Sequence, residues 1–124
     1  MSEEVKAFDE EELEQAEAEA AQDNVADYVH TFKKPLEYNG VKYSELHFNF
    51  DDLTGADSLE VEKEMQRTGQ GVVIAGAFNS EYMIRLAARA CAEPIGADAF
   101  KAMRLFDYNK IKDKVRNFLL RSEQ

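Results

Sequence analysis

Two histidines and one cysteine are the residues of this 124-residue chain with the strongest claim to chemistry. A zinc site takes three or four ligands at tight spacing. Here His30 and His47 stand apart, no His-x-x-x-His pair occurs, and Cys91 is far away. The two histidines therefore read as ordinary neighbours across a pair of strands. Cys91 falls on the apolar side of the alanine-rich segment "EYMIRLAARACA". A thiol there is a small buried hydrophobe, whereas a nucleophile wants an electropositive, open setting. The glycine stretch Gly69 to Gly76, "GQGVVIAG", lacks both the dinucleotide-binding spacing and the Lys-Ser/Thr pair that grips phosphate, so it reads as a connector. "NFDDLTGADSLE" invites comparison with a calcium loop. Placing Gly55 at the required sixth position puts Phe50 first and Val61 twelfth, where carboxylates belong. Carboxylates are so numerous that a close pair is no argument for acid–base catalysis. No catalytic, metal or cofactor site emerges, and the expectation is a protein that is not an enzyme.

The elements that would carry these residues follow from charge and pattern. Residues 1–27 hold eleven acidic side chains and one basic one, Lys6, while the other 97 residues hold fourteen of each sign. Within that arm, "EEELEQAEAEAAQD" has good helix formers, but no Lys sits three or four places on to relieve the repulsion between its glutamates. Val5, Phe8 and Leu13 are its few bulky apolar residues. We expect residues 1–27 to form an acidic arm, largely disordered or transiently helical, and residues 28–124 to form a single domain. The arm reads as a solvated tail, or as a segment that folds on a partner or screens the basic last helix. One cysteine rules out an internal disulfide framework. "MSEEVKAFDEEELEQ" lacks the pattern of a signal peptide, and "VVIAGAF" is far shorter than the roughly 20 residues of a membrane span. A soluble, intracellular protein with no membrane partner is the expectation.

"YVHTFKKPLEY" and "VKYSELHFNF" flank Asn39-Gly40, a strong hairpin signal because both turn positions take positive φ. A two-residue turn pairs Tyr38 with Val41, Leu36 with Tyr43, and Lys34 with Glu45. Pro35 lacks a backbone donor, which predicts an edge strand or a bulge there. The second strand is apolar at odd positions (Val41, Tyr43) and then at even ones (Leu46, Phe48, Phe50). A period of two cannot bury both sets on one face. Either a bulge or twist near Ser44-Glu45 reconciles them, or both faces are covered, one of them by another chain.

Thr54 with Asp57 three places on predicts a helix cap, and the helix it starts stops at Gly69. Asn79 or Ser80 starts a helix with Met83, Leu86, Ala87, Ala90 and Cys91 on one stripe. "DAFKAM" makes a short turn of helix. Asp107 can cap a final helix whose apolar positions are Tyr108, Ile111, Val115, Phe118 and Leu119, flanked by basic residues. Lys101 to Gln124 hold seven basic and three acidic residues. The acidic arm would repel phosphates and no aromatic platform is interleaved, so no nucleic-acid partner is expected. The fold class is α+β: an N-terminal antiparallel β-hairpin followed by three or four packed α-helices.

The ordered set Lys34, Pro35, Glu37, Tyr38, Asn39, Gly40, Tyr43, Glu45, Leu46, Asp52, Leu53, Thr54, Gly55 and Asp57 resembles the N-terminal signature of the small tail assembly chaperones of Mu-like and related tailed bacteriophages. "SEYMIRLAARACAEPIG" and "NFLL" resemble that family's later helices, so the likeness spans about residues 31–120. The acidic arm departs from it. The resemblance implies a non-enzymatic protein of the bacterial host's cytoplasm, absent from the mature virion. It would bind the tape measure protein and help to recruit tail tube protein. On the residues themselves, Tyr38, Val41 and Tyr43 on the hairpin, or Ile111, Val115, Phe118 and Leu119 on the last helix, are the candidate partner-binding surface, with self-association also open. The alternative is a small regulatory or anti-host protein whose acidic arm mimics nucleic acid.

Overall fold

In the computed structural model, which describes residues 10–22 and 26–122, helix α1 (Glu10–Gln22) precedes the hairpin β1 (Asp27–Tyr38) and β2 (Val41–Asn49). A 3-10 turn at Phe50–Asp52 leads to α2 (Gly55–Arg67), and a second one at Gly76–Phe78 leads to α3 (Ser80–Ala90). Helices α4 (Ala97–Ala102) and α5 (Leu105–Ser122) complete the chain. The fold is α+β, a two-stranded antiparallel sheet followed by four helices.

The hairpin turns where the dipeptide demands it: Asn39 has φ 52° and Gly40 φ 79°, the left-handed pair that matches the twist of the strands. Tyr38 faces Val41 and Leu36 faces Tyr43, as the turn predicts. Lys34 does not face Glu45. Thr31 does, because four residues, Phe32 to Pro35, lie between Thr31 and Leu36, while Ser44 alone spans the gap on β2. The excess of three residues sits at Pro35, which has no N–H to give to the ladder. It also resolves the alternation conflict. Tyr28, His30, Phe32, Leu36 and Tyr38 on β1 all turn toward the body of the protein, and so do Leu46 and Phe48 on β2. Beyond Ser44 and Glu45, two consecutive exposed residues, Tyr43 is packed against the core from an odd position. The hairpin thus buries one apolar face, and its other face carries Thr31, Glu37, Lys42, Glu45 and His47, with Val29 exposed beside His47.

Phe48 lies at the centre of the core, fully buried, with Tyr28, Phe50 and Phe100 rings 5.8–6.3 Å away; Phe50 in turn stacks on Phe118. From the helices, Met83, Ile84 and Ala87 of α3 and Ile111 and Val115 of α5 close over the sheet. A second cluster, Val61, Met65, Tyr82 and Leu86, joins α2 to α3. Gly76 is required here, since a Cβ would lie 2.7 Å from the Tyr82 ring. The cap of α2 forms as a reciprocal pair: the Asp57 N–H donates to Thr54 Oγ1 and the Thr54 N–H donates to the Asp57 carboxylate. Asn79 caps α3 by accepting from the Tyr82 N–H at 2.9 Å. Ion pairs from Arg85 to Glu64 and from Arg89 to Asp57 then tie α2 to α3. Helix α1 packs against α5.

Candidate interaction surface

The two histidines end up on opposite faces of the hairpin, so they are not the cross-strand neighbours the sequence implies. His30 faces Leu46 and His47 faces Val29. His30 turns inward and is 2% exposed. Its Nε2 donates to the Asp107 carboxylate at 2.7 Å, and its Nδ1 is 2.9 Å from the Tyr28 hydroxyl. The order Tyr–His–Asp is that of a relay in which a carboxylate orients an imidazole and the imidazole serves a hydroxyl. Its setting argues for architecture instead. Among the described residues, Asp107 borders cavities at the β1 bulge and beside Phe106, and neither has His30 or Tyr28 in its walls. The pair joins β1 to α5 across 77 residues of sequence, and so satisfies two polar groups that burial would otherwise leave costly. Asp107 is therefore not the helix cap expected of it. Helix α5 starts at Leu105, which puts Asp107 inside the first turn with its carboxylate already engaged.

His47 faces solvent between two carboxylates, Glu93 at 2.7 Å and Glu45 at 3.0 Å. Its pKa is raised above the usual imidazole range, chiefly by the hydrogen bond to Glu93, which outweighs the opposing effect of burial, with smaller help from the charges of Glu93 and Glu45. Burial alone would push Glu93 up, but the His47 backbone N–H, the His47 ring and the Cys91 thiol together hold it below its ordinary value. Helix α3 ends at Ala90, so Cys91 lies just past the helix and not on its stripe. It is bridged to Phe48, while the Ala92 N–H donates to the His47 carbonyl at 2.8 Å. Desolvation pushes the Cys91 thiol up to about 12, the opposite of what a nucleophile needs. This cluster is a clip that lays Cys91–Glu93 along the outer edge of β2. Among the described residues, no group of three or more His, Cys, Asp or Glu side chains is arranged to hold a metal ion, and no helix is long and apolar enough to cross a membrane.

The seven candidate contact residues divide sharply. Ile111 and Val115 are core, and Phe118 and Leu119 are half-buried against it. The apolar stripe of α5 is consumed by the sheet and α3. Tyr38 and Tyr43 also pack on the core, and the Tyr38 hydroxyl donates to Asp98 at 2.8 Å while accepting from the Gly96 N–H at 3.3 Å. Of the seven, Val41 alone is substantially exposed. Comparison of the chain with protein-family models, with curated proteins and with solved structures finds no match. The likeness to tail assembly chaperones therefore stands on the residues that carry it, and a surface has to be found from geometry.

Geometry offers large apolar side chains that the sequence pattern did not single out. Leu59 on α2, Val72 and Ile74 on the connector, and Leu105 and Phe106 at the start of α5 are all more than half exposed. The "VVIAGAF" run is legible as apolar, yet only Val73 of its valines reaches a core cluster. Leu105 and Phe106 fall off the stripe of α5, and that offset is the sequence signal that they lack a place in the core. A groove of about 450 Å³ lies nearby, between the β1 bulge and the α4–α5 joint, lined in part by Phe32, Pro35, Leu36, Met103 and Arg104.

Proposed function

We propose that this chain is a phage or prophage tail assembly chaperone, a protein that works by adhesion, without enzymatic activity. It binds a tape measure protein, keeps that long helical client soluble and promotes assembly of the tail tube, acting in the host cytoplasm and staying out of the finished particle. The observation that carries this reading is the ordered signature from Lys34 to Asp57. Its members supply the Pro35 bulge, the Asn39-Gly40 turn and the Thr54–Asp57 cap, so one run of sequence builds one rigid hairpin-and-helix unit. Supporting it, the groups with chemical potential are spent on structure: His30 on Asp107, Asp57 on the cap, and the Cys91 thiol on a desolvated site. Seven large apolar side chains among the described residues, Val29, Val41, Leu59, Val72, Ile74, Leu105 and Phe106, stand exposed on that unit or beside it, as a binder of helical, apolar clients requires.

The test is co-expression with the tape measure protein of the same genome. The client should be soluble and co-purify with the chain, and should be insoluble without it. A client equally soluble in both cases, with no co-purification, refutes the reading.

A further inference from the structure

The hairpin has two outer edges, and only one of them is closed. Along β2 the His47 N–H donates to the Glu93 carboxylate and the His47 carbonyl accepts from the Ala92 N–H, both at 2.8 Å. Those two bonds also fix the phase of the ladder. Opposite residues of an antiparallel pair exchange both backbone bonds or neither. His47 spends both of its groups outward, so its partner Val29 points its own N–H and carbonyl away on the far side. By alternation, Asp27 and Thr31 do the same. Among the described residues the sheet has no third strand, and no hydrogen bond from outside the hairpin reaches the backbone of these three.

A bare edge is a template for another strand. Val29 and Thr31 are exposed and β-branched, which suits one. The features that blunt an edge, here Lys33, Lys34, Pro35 and the bulge, all lie past Thr31. The open stretch therefore runs from Asp27 to Thr31 and ends at a basic site. There Lys33, Arg104, Phe106 and Asp107 wall a cavity of about 140 Å³. The Asp107 carboxylate is already bound to His30, whereas Lys33 and Arg104 are exposed, with no carboxylate paired to them among the described residues.

We propose that the outer edge of β1 from Asp27 to Thr31 takes an extended segment of a partner protein as an antiparallel third strand, with acidic residues at that segment's N-terminal end. The exposed row of backbone donors and acceptors selects an extended chain, and side chains select which one. In the antiparallel sense the N-terminal end of the segment meets Lys33 and Arg104, while its other end lies beside Asp27, where acids are disfavoured. A second copy of this chain does not fit the same edge. Helix α5 lies beneath β1, since Asp107 meets His30 and the Lys114 ammonium sits 5.4 Å from the centre of the Tyr28 ring. Two β1 strands about 4.8 Å apart would hold two such helices well inside the roughly 8–10 Å that packed helices need. A lone strand brings no helix with it. The inference goes beyond the chaperone reading, whose client is helical, and does not depend on it.

The test uses the full chain, isotope-labelled for NMR, and a fluorescein-labelled peptide of alternating valine and threonine with glutamates at its N-terminal end. A second peptide carries the glutamates at its C-terminal end. In the free chain the amide protons of Val29 and Thr31 should exchange rapidly, while that of His30, directed at β2, is protected. The first peptide should protect Val29 and Thr31, and by fluorescence anisotropy should bind about tenfold tighter than the second. Val29→Pro removes an outward N–H that the fold does not use, and the pair Lys33→Glu, Arg104→Glu reverses two exposed charges. Each should weaken the first peptide about tenfold with an unchanged circular dichroism spectrum. Protected Val29 and Thr31 amides in the free chain overturn the proposal, because the edge is then already filled, by the chain itself or by a second copy visible as a dimer on size exclusion. So does failure of the first peptide to bind, or binding that leaves those two amides exchanging as before. Equal affinity for the two peptides, or unchanged affinity in either variant, also overturns it. If Val29→Pro does not fold, the exchange measured on the unaltered chain decides.

Discussion

His30 and His47 occupy adjacent rungs of one hairpin, and each holds a carboxylate at 2.7 Å. One pair is enclosed, with side chains 2% and 8% exposed; in the other the imidazole is 46% exposed. The same bond does different things in the two places. Inside, removing a partner strands a polar group that water cannot reach. Outside, water and salt replace whatever is lost. The inner pair sets where α5 crosses the sheet, while the outer pair trims an edge that Ala92 and Cys91 already cover.

The largest expected effect comes from breaking the inner pair. His30→Leu leaves the Asp107 carboxylate buried without its imidazole donor and should lower stability by about 3 kcal/mol in urea denaturation. Tyr28→Phe, which removes the hydroxyl at the far end of the same chain of hydrogen bonds, should cost about 1 kcal/mol. A His30→Leu protein as stable as the wild type would erase the contrast between the two sites.

An intermediate case lies at the α2 cap. Asp57 is held below the usual carboxylate range first by the Thr54 N–H and then by the Arg89 guanidinium. A depressed value means that its contribution is present above the ordinary carboxylate pKa of about 4 and lost as pH falls through the lower folded value. Asp57→Ala should cost about 1 kcal/mol near neutrality and should flatten the acid limb of a stability–pH profile. An acid limb as steep as the wild type's would show that Asp57 does not generate it.

The smallest effect should be Glu93→Gln. His47 has a raised pKa, so its stabilising contribution is complete below about 6.5 and disappears as pH rises through the higher folded value. Glu93→Gln should leave the denaturation midpoint where it is and bring the His47 titration, followed by NMR, down toward the ordinary imidazole range. A large loss of stability in this variant would make the outer clip a structural peer of the inner pair.

What the sequence revealed was local. Asn39-Gly40, Thr54 with Asp57, and Asn79 each fix a backbone conformation through partners no more than three residues away, so their types and spacing sufficed. The stripe on α5 was also legible, but a stripe names a buried side and not its occupant; the sheet and α3 take it, and the four apolar residues put forward as contacts are absorbed. His30 with Asp107 was out of reach, because no spacing rule spans 77 residues. The inward alternation of Tyr28, His30 and Phe32 was the one available hint that the imidazole is buried. The arm's composition spoke of self-repulsion within α1 and left a solvated tail and a screen for the basic last helix both open; the fold sets α1 beside that helix.

The three surplus residues at the β1 bulge constrain how this gene can drift. Losing or gaining one codon between Thr31 and Leu36 would rotate Leu36 and Tyr38 to the wrong side of the strand and pull the tyrosine hydroxyl off Asp98. A change of two codons would restore the facing. Length variation in this segment should therefore accumulate in pairs, so that an apparently innocuous single insertion beside a proline is among the least tolerated edits in the hairpin.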